Sequence, residues 1–293
     1  KNRLTLFHQR EKRIHPLKDD KILTDWNGLM IAALANGGKI LNEQAYIYAA
    51  ERAANFILSN MRDGNGRLLK RYRNGSAGIQ PHLDDYAFLI WGLLDLYEAN
   101  FNTYYLRSAI EIADLMVTDF LDKEKGGFFI GPENGEKLLV RAKDSYDGAI
   151  PSGNSVASMN CIRLSKYTGD TKWADIAENT FQSFSETITR VPSAHSFMLA
   201  AFMFNQESPK EIVIVTDKKS SETISIVRKI QNIYTPNSIT ILKETKNTSE
   251  LDRIAPWTSY HEAIDGKVTF YVCENFSCKR PTTDLDIAIK YLQ

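Results

Sequence analysis

Nine residues, Tyr86-Ala-Phe-Leu-Ile-Trp-Gly-Leu-Leu94, form an apolar run that predicts a helix covered on nearly all sides. Two further runs, over 29–35 and 156–164, have the same character. Each run is followed by an amphipathic segment in which an aromatic residue precedes small or apolar residues at steps of four. These positions are Tyr46, Ala50 and Ala54; Tyr105, Ala109 and Ala113; and Trp173, Ala177 and Phe181. A buried helix followed by an amphipathic one, recurring at roughly 60 to 70 residues, indicates stacked helical hairpins.

The repeat predicts a mainly α-helical protein, built as a partial α/α toroid with an inner and an outer layer of helices. About seven helices are expected up to Asn205, which would leave the ring incomplete. Between the helical hairpins, the segments 64–75 and 126–141 are rich in glycine turns and predict short β-hairpins.

The pattern changes after residue 208, where a small α/β unit is expected. The expected domains are therefore the toroid region over 1–208 and the α/β unit, packed on it, over 209–293. The strand-like runs are 211–216, 238–242 and 267–273, and the helix-like runs are 221–231 and 283–292. The turn at 216–221 lacks the glycines of a phosphate-binding loop, which argues against nucleotide binding.

Composition argues against several classes of partner. Hydrophobic residues make up 43% and charged residues 25%, and 36 basic side chains balance 36 acidic ones. No basic footprint for nucleic acid or an anionic membrane is present, and no run of about 18 apolar residues predicts a membrane span. Three cysteines form no disulfide framework and favour a reducing compartment, so we expect a cytoplasmic protein. The chain starts at Lys1, without a signal peptide, and we expect it to be a fragment of a longer protein.

Polar segments precede each of the three buried helices. If the hairpins stack in register, the N-termini of these helices open on one face of the toroid. Carboxylates then arrive there from two repeats, and paired carboxylates are what glycoside hydrolysis requires as general acid and as base or nucleophile. The segments are Asp25-Trp-Asn-Gly28, His82-Leu-Asp-Asp-Tyr86 and Lys143-Asp-Ser-Tyr-Asp147, which continues to Ser155; the candidate acids and bases are Asp84, Asp85, Asp144 and Asp147.

Other side chains of the same segments suit a sugar ligand. Aromatic rings provide flat apolar surfaces for stacking, amides, imidazoles and hydroxyls can bind sugar hydroxyls, and two cations could reach an anionic substrate. The candidates are Trp26, Tyr86 and Tyr146 for stacking; Asn27, His82, Ser152, Asn154 and Ser155 for hydrogen bonding; and Arg71 and Lys143 for an anion. Each has a structural alternative, as a helix cap, a core aromatic or a solvated charge.

Other catalytic classes fit less well. The segment Ser152-Gly-Asn-Ser155 is not a nucleophile elbow, and the five histidines show no metal-ligand spacing. Cys273 and Cys278 are separated by four residues, which is neither a redox C-x-x-C motif nor a zinc knuckle, and a structural pair at a strand end is favoured. No metal and no cofactor are therefore expected.

Four segments carry a family resemblance across nearly the whole chain. They are Lys21-Ile-Leu-Thr-Asp-Trp-Asn-Gly-Leu-Met30, Leu83-Asp-Asp-Tyr-Ala87, Asp147-Gly-Ala-Ile-Pro-Ser-Gly-Asn-Ser155 and Tyr271-Val-Cys-Glu-Asn-Phe-Ser-Cys-Lys-Arg-Pro-Thr-Thr-Asp284. The chain resembles the carboxy-terminal two-thirds of the YyaL-type, spermatogenesis-associated thioredoxin-domain proteins. The resemblance implies a six-hairpin, glycosidase-like toroid, and a thioredoxin-like domain upstream of it in the full-length protein.

The toroid of that family is in turn similar to N-acylglucosamine epimerases and unsaturated glucuronyl hydrolases, which act on sugars in the central cavity. This is an analogy of fold, and it assigns no catalytic residue. The leading hypothesis is a carbohydrate-active or carbohydrate-binding toroid, with a glycoside hydrolase ranked slightly above a sugar epimerase, for which only His82 is well placed as a proton shuttle. The alternative is a non-catalytic scaffold that presents clients to the thioredoxin-like domain.

Overall fold

The computed structural model describes residues 2–292, which contain eleven α-helices and seven short strands. The helices are α1 (Asn2–Arg10), α2 (Thr24–Leu41), α3 (Gln44–Asn60), α4 (Leu83–Asn100), α5 (Thr103–Phe120), α6 (Gly153–Thr168), α7 (Thr171–Arg190), α8 (Ser196–Gln206), α9 (Ser221–Gln231), α10 (Ser249–Ile254) and α11 (Leu285–Leu292). The strands are β1 (Ile22–Leu23), β2 (Arg71–Arg73), β3 (Ser76–Gly78), β4 (Lys210–Thr216), β5 (Ser238–Glu244), β6 (Thr269–Glu274) and β7 (Ser277–Cys278).

The predicted two-layer toroid is confirmed. Helices α2, α4, α6 and α8 pack side by side in that order as an inner arc, and α3, α5 and α7 cover them from outside. Thirteen of the 18 residues of α4 and 14 of the 16 of α6 are buried, against five of the 20 of α7. This difference reproduces the distinction between all-round apolar and one-sided apolar helices in the sequence.

Each paired inner and outer helix is joined by a tight turn with a fixed cap. The inner helices end at residues in the left-handed region, Asn42 (φ 54°), Phe101 (φ 56°) and Gly169 (φ 74°). The next residue caps the outer helix. Its side-chain oxygen accepts a hydrogen bond from a backbone N–H of the first turn, as Asn102 does from Tyr104 N. These caps satisfy the backbone groups that a helix end leaves open, and they hold the paired helices antiparallel.

Two glycines let α2 and α4 approach at backbone distance. A Cβ added at Gly28 would lie 2.5 Å from the backbone carbon of Phe88, and one at Gly92 would lie 2.7 Å from the carbonyl oxygen of Gly28. Neither neighbouring atom can move without shifting a helix. The crossing therefore fixes how α4 is rotated, and with it the direction of the residues at its N-terminus.

Gly28→Ala is expected to lower the free energy of unfolding by about 1–3 kcal/mol, because overpacking at the crossing outweighs the better helix propensity of alanine. Gly37 on the same helix is the matched control, since a Cβ there would meet only the Tyr46 ring at 3.7 Å. Gly37→Ala should instead stabilise the protein by up to about 1 kcal/mol. Urea denaturation of both variants measures the difference, and equal effects would refute the close crossing.

The β-hairpin predictions are only partly correct. Strands β1, β2 and β3 form a small antiparallel sheet whose last turn is Asn74-Gly75, so the hairpin starts later than the predicted segment 64–75. The hairpin predicted over 126–141 is wrong, because within the described residues this segment contributes only an isolated bridge between Leu121 and Phe128. Gly126 and Gly127 both have positive φ and lie in the turn between the two bridged residues, so they close the bridge instead of forming strands.

The carboxy-terminal α/β unit has the sheet order β5-β4-β6-β7, with β4 and β5 parallel and the other pairs antiparallel. The sequence analysis predicted strands and helices at these places, but it did not predict helix α10. One face of the sheet, with Val213, Val215 and Ile241, belongs to the same core as the toroid helices. The other face, with Ile212 and Ile214, packs with residues of α9 and α11 in a second core.

None of the helices in the described part of the chain is long and apolar enough to cross a membrane.

Candidate active site

The N-termini of three inner helices meet at the adjacent acids of α4. The backbone N–H of Asp25, in α2, donates to Asp85 Oδ1 over 3.1 Å. Gly153, at the start of α6, is so close to Asp84 that a Cβ there would lie 2.4 Å from its Oδ1. The two neighbouring acids thus face different helices.

Asp85 is fully buried and joins several elements. Its Oδ2 accepts from the backbone N–H of His82 at 2.8 Å and lies 3.4 Å from Lys70 Nζ, while its Oδ1 accepts from Asp25 N. Burial raises the pKa of Asp85 to about 6, although Lys70 and the His82 amide pull it down. Because both oxygens are occupied by protein donors, Asp85 is placed to hold the site together rather than to touch a substrate.

Lys70 and Asp25 also belong to this cluster, and neither was predicted from the sequence as a site residue. Lys70 Nζ also lies 3.2 Å from Asp25 Oδ2, and both side chains are largely buried. Burial lowers the pKa of Lys70, but the carboxylates of Asp85 and Asp25 raise it above its usual value. Asp25 lies within a predicted rim segment, whereas Lys70 precedes β2 and no motif distinguishes it from a solvated lysine.

Asp84 differs from its neighbour. Its carboxylate is half-buried, and burial raises its pKa above the usual range, with the negative charges of Asp25 and Asp144 adding to the effect. Lys70 and the backbone of Gly153 act in the opposite direction without cancelling it. Asp144 is exposed, and its Oδ1 accepts from Tyr146 N at 3.0 Å. Asp84 and Asp144 are therefore close enough to interact electrostatically across the helix N-termini.

Asp147 has both carboxylate oxygens occupied by backbone donors. Oδ1 accepts from Ser152 N at 2.9 Å, and Oδ2 accepts from Phe197 N and Met198 N at 2.8 and 3.0 Å. These bonds cap the start of α8 and fix the turn before α6. This arrangement favours a capping role for Asp147 over the expected role as a catalytic acid or base.

The aromatic candidates differ in how far their side chains are exposed to solvent. Trp26 and Tyr146 are 64% and 61% exposed at the rim. Tyr86 is fully buried, and its hydroxyl oxygen accepts from Leu68 N at 3.1 Å, so it is a core residue and offers no ring to a ligand. His82 lies at the rim, where desolvation and the charge of Lys70 lower its pKa, which leaves the imidazole neutral at pH 7.

Several of the other residues predicted to bind a ligand form hydrogen bonds within the protein. Asn154 binds both backbone groups of Phe128 and the carbonyl of Asp144. The buried hydroxyls of Ser152 and Ser155 lie 2.8 Å apart, and Ser152 Oγ caps α6 by accepting from Ser155 N.

Of the remaining three candidates, Lys143 and Asn27 have partners within the protein, and Arg71 is half-buried. Lys143 Nζ forms an ion pair with Asp122 at 2.7 Å, and Asn27 Nδ2 donates to the carbonyl of Leu23. Arg71 is half-buried on β2, and nothing in the structure explains why its buried Nε lacks a partner among the described residues.

A cavity of about 580 Å³ lies on the concave side of the inner helices, between them and the α/β unit. Its wall holds an ionic network that the sequence analysis missed: Arg163 Nη1 lies 2.7 Å from Asp95 Oδ1, and Lys39 Nζ lies 3.2 Å from Glu98 Oε2. Trp91 and Phe197 also line it, with ring centroids 5.1 Å apart. The charged residues Asp95 and Glu98 interrupt the apolar pattern of α4, and this feature of the sequence could have revealed the ionic network.

A group of metal-ligating atoms lies in the α/β unit rather than at the rim. His261 is brought to Cys273 and Cys278, although the spacing of these residues in the sequence predicted no such group.

The architecture is that of an α/α toroid of stacked helical hairpins, and two solved structures share this fold. An α-mannanase of glycoside hydrolase family 76 from Bacteroides thetaiotaomicron superposes with a TM-score of 0.53 at 18% identity, covering 75% of this chain and 60% of that one. A cellobiose 2-epimerase from Bacillus thermoamylovorans gives 0.51 at 17% identity, covering 90% and 68%.

Sequence comparison finds relatives that match nearly the whole chain. The chain is 37% identical over 289 residues to human Spermatogenesis-associated protein 20, covering 95% of this chain and 37% of the human protein. It is 32% identical over 285 residues to an uncharacterized protein of Caenorhabditis elegans, covering 94% and 38%. These matches agree with the family resemblance predicted from the sequence, and the chain spans a little over a third of the length of these relatives. No family model matches it.

Proposed function

We propose that this chain is a carbohydrate-binding α/α toroid that performs acid–base chemistry on a sugar at the rim, as a glycoside hydrolase with Asp84 as the general acid. The observation that carries this proposal is the environment of Asp84. Its carboxyl is half-buried with a raised pKa, at the meeting point of three helix N-termini. A carboxyl that keeps its proton nearer to neutral pH suits the protonation of a glycosidic oxygen.

The structure of the cluster supports a division of tasks among the acids. Asp85 and Asp147 use their oxygens on protein donors, so they position the helices around Asp84. Asp144 is exposed and interacts with Asp84 through its charge, and it would serve as the base or the nucleophile. Hydrolysis needs one carboxyl to donate a proton while the second acts on water or on the anomeric carbon.

Exposed aromatic rings support a sugar as the ligand. Trp26 lies in the first turn of α2, next to Asp25, and Tyr146 follows Asp144 by two residues, so both belong to the segments that carry the cluster of acids. A pyranose ring presents C–H groups on one face, and a flat aromatic surface is complementary to that face.

An epimerase is the second candidate, and His82 favours it. The imidazole is neutral, lies at the rim and precedes Asp84 by two residues, so it could remove a proton from a sugar carbon. The products separate the two functions, since hydrolysis releases a shorter glycan and epimerisation leaves the chain length unchanged.

A panel of mono- and oligosaccharides, screened by thermal shift, tests the binding part of the proposal. A sugar at about 100 times its Kd stabilises the folded state by about 2.7 kcal/mol and should raise the melting temperature by several degrees. Trp26→Ala should weaken that binding about tenfold or more, equivalent to about 1.4 kcal/mol. Tyr48→Ala, on the outer helix α3 and with its ring 56% exposed, should leave binding unchanged. No shift with any sugar would favour the non-catalytic scaffold.

A further inference from the structure

Three side chains that bind soft metals meet at the edge of the α/β unit. One nitrogen of His261 and the sulfurs of Cys273 and Cys278 all lie within 4.8 Å of one another. The shortest approach from the ring is 3.6 Å, from His261 Nε2 to Cys278 Sγ. The rim acids described above have no part in this cluster.

The two cysteines face each other across the last strand pair. Cys273 on β6 is buried and pairs in register with Cys278 on β7, and a disulfide joins them. β7 is only two residues long, and both of its residues are exposed. Cys278 therefore lies where a solvent-borne reductant can reach it and where the chain has room to adjust.

Packing directs the imidazole toward the sulfurs. The His261 ring stacks on Tyr271, with centroids 4.2 Å apart, and meets the edge of Trp257 at 5.7 Å. Desolvation, and then the charge of Lys243, lowers the pKa of His261 to about 4. The stacking on Tyr271 and the contact with Cys278 Sγ fix the ring beside both sulfurs.

We propose that, once the disulfide is reduced, His261 Nε2 and the thiolates of Cys273 and Cys278 bind a thiophilic divalent ion of the zinc type. Two thiolates and one imidazole are typical zinc ligands, and water would complete a tetrahedron. A phosphine or dithiol reductant supplies two electrons, and two protons from water or thiol convert the disulfide to two thiols. Metal binding then releases one proton from each thiol.

The site lies where the α/β unit meets the toroid. The turn between the two cysteines carries Phe276, whose ring packs on Trp257 at 5.2 Å, and Asn275, whose Oδ1 accepts from Lys166 Nζ of α6 at 3.0 Å. Metal and disulfide would each close this turn. The reduced protein should therefore have its lowest melting temperature without metal and regain several degrees with it.

Cobalt(II) is the probe, because it reports thiolate and imidazole ligands by absorption. The full chain is kept in a phosphine reductant without oxygen, its three free thiols are counted, and Co²⁺ is titrated. We expect one ion per chain, with a thiolate charge-transfer band and tetrahedral visible bands, and displacement by Zn²⁺. The oxidised protein should give none of these bands.

Two variants separate this site from adventitious binding. His261→Gln should lower the affinity at least about tenfold and change the visible bands, because a ligand is lost. Cys161→Ala removes the third thiol, which is buried in α6, and should leave stoichiometry and spectrum unchanged. Failure of the disulfide to reduce, absence of thiolate bands with three thiols counted, or bands unaffected by His261→Gln would each overturn the proposal.

Discussion

Arg163→Met is expected to lower the free energy of unfolding by about 3–5 kcal/mol. Arg163 Nη1 lies 2.7 Å from Asp95 Oδ1, and Nη2 lies 3.6 Å from Glu98 Oε1. The side chains of Arg163 and Asp95 are only 10% and 7% exposed, so the carboxylates would lose their partner while they remain largely desolvated. The variant would leave the carboxylates of Asp95 and Glu98 in the cavity wall with Lys39 as their cationic neighbour among the described residues.

Lys172→Met is the matched control, because Lys172 pairs with Asp114 at 3.1 Å while both side chains are about half exposed. Its cost should be at most about 1 kcal/mol. Burial already raises the pKa of Asp95, and Arg163 opposes that rise. Without Arg163 the pKa of Asp95 should rise further, so the loss of stability should shrink as the pH falls and the carboxyl takes up a proton. Urea denaturation at neutral and acidic pH measures both effects, and equal costs for the two variants would contradict the network.

Asp84→Asn is expected to reduce turnover of a bound glycan by about 10²–10⁴-fold, since an amide cannot donate the proton. The wild-type rate should fall on the alkaline side as Asp84 deprotonates. Burial raises the pKa of Asp84 in the folded state, so the native state loses stability as pH rises from the unfolded-state pKa through the folded-state pKa. The asparagine variant avoids that loss, and at neutral pH it should be at least as stable as the wild type.

A surface acid provides the control for this substitution. Asp175 is exposed on the outer helix α7, and Asp175→Asn should leave turnover, its pH dependence and stability unchanged. Turnover profiles from acidic to alkaline pH, with melting temperatures of the same samples, separate a catalytic effect from a structural one.

The sequence was sufficient for the layers of the fold because burial leaves a periodic pattern. Helix α4 is apolar all round and proves almost wholly buried, while α7 has one apolar stripe and stays largely exposed. The segment 126–141 was misjudged because glycine turns suit a hairpin and an irregular loop alike. Arg141 stacks there on Phe129 at 4.0 Å, a contact without periodicity in the sequence.

The rim was predictable in place but not in detail. Adjacent residues on a helix point about 100° apart, so the rotation of α4 decides which of Asp84 and Asp85 faces the interior. That rotation depends on the contact between Gly28 and Gly92. The capping role of Asp147 depends on amides fifty residues further along the chain, which no local pattern reveals.

The proposed hydrolysis depends most on Asp84 as the proton donor. The direct measurement follows, by NMR, the binding and conversion of the same glycan by the wild type and by Asp84→Asn. We predict that the variant binds the glycan with a similar Kd and forms product at least about 100-fold more slowly. Product formed at the wild-type rate, or binding and turnover lost together, would contradict Asp84 as the catalytic acid.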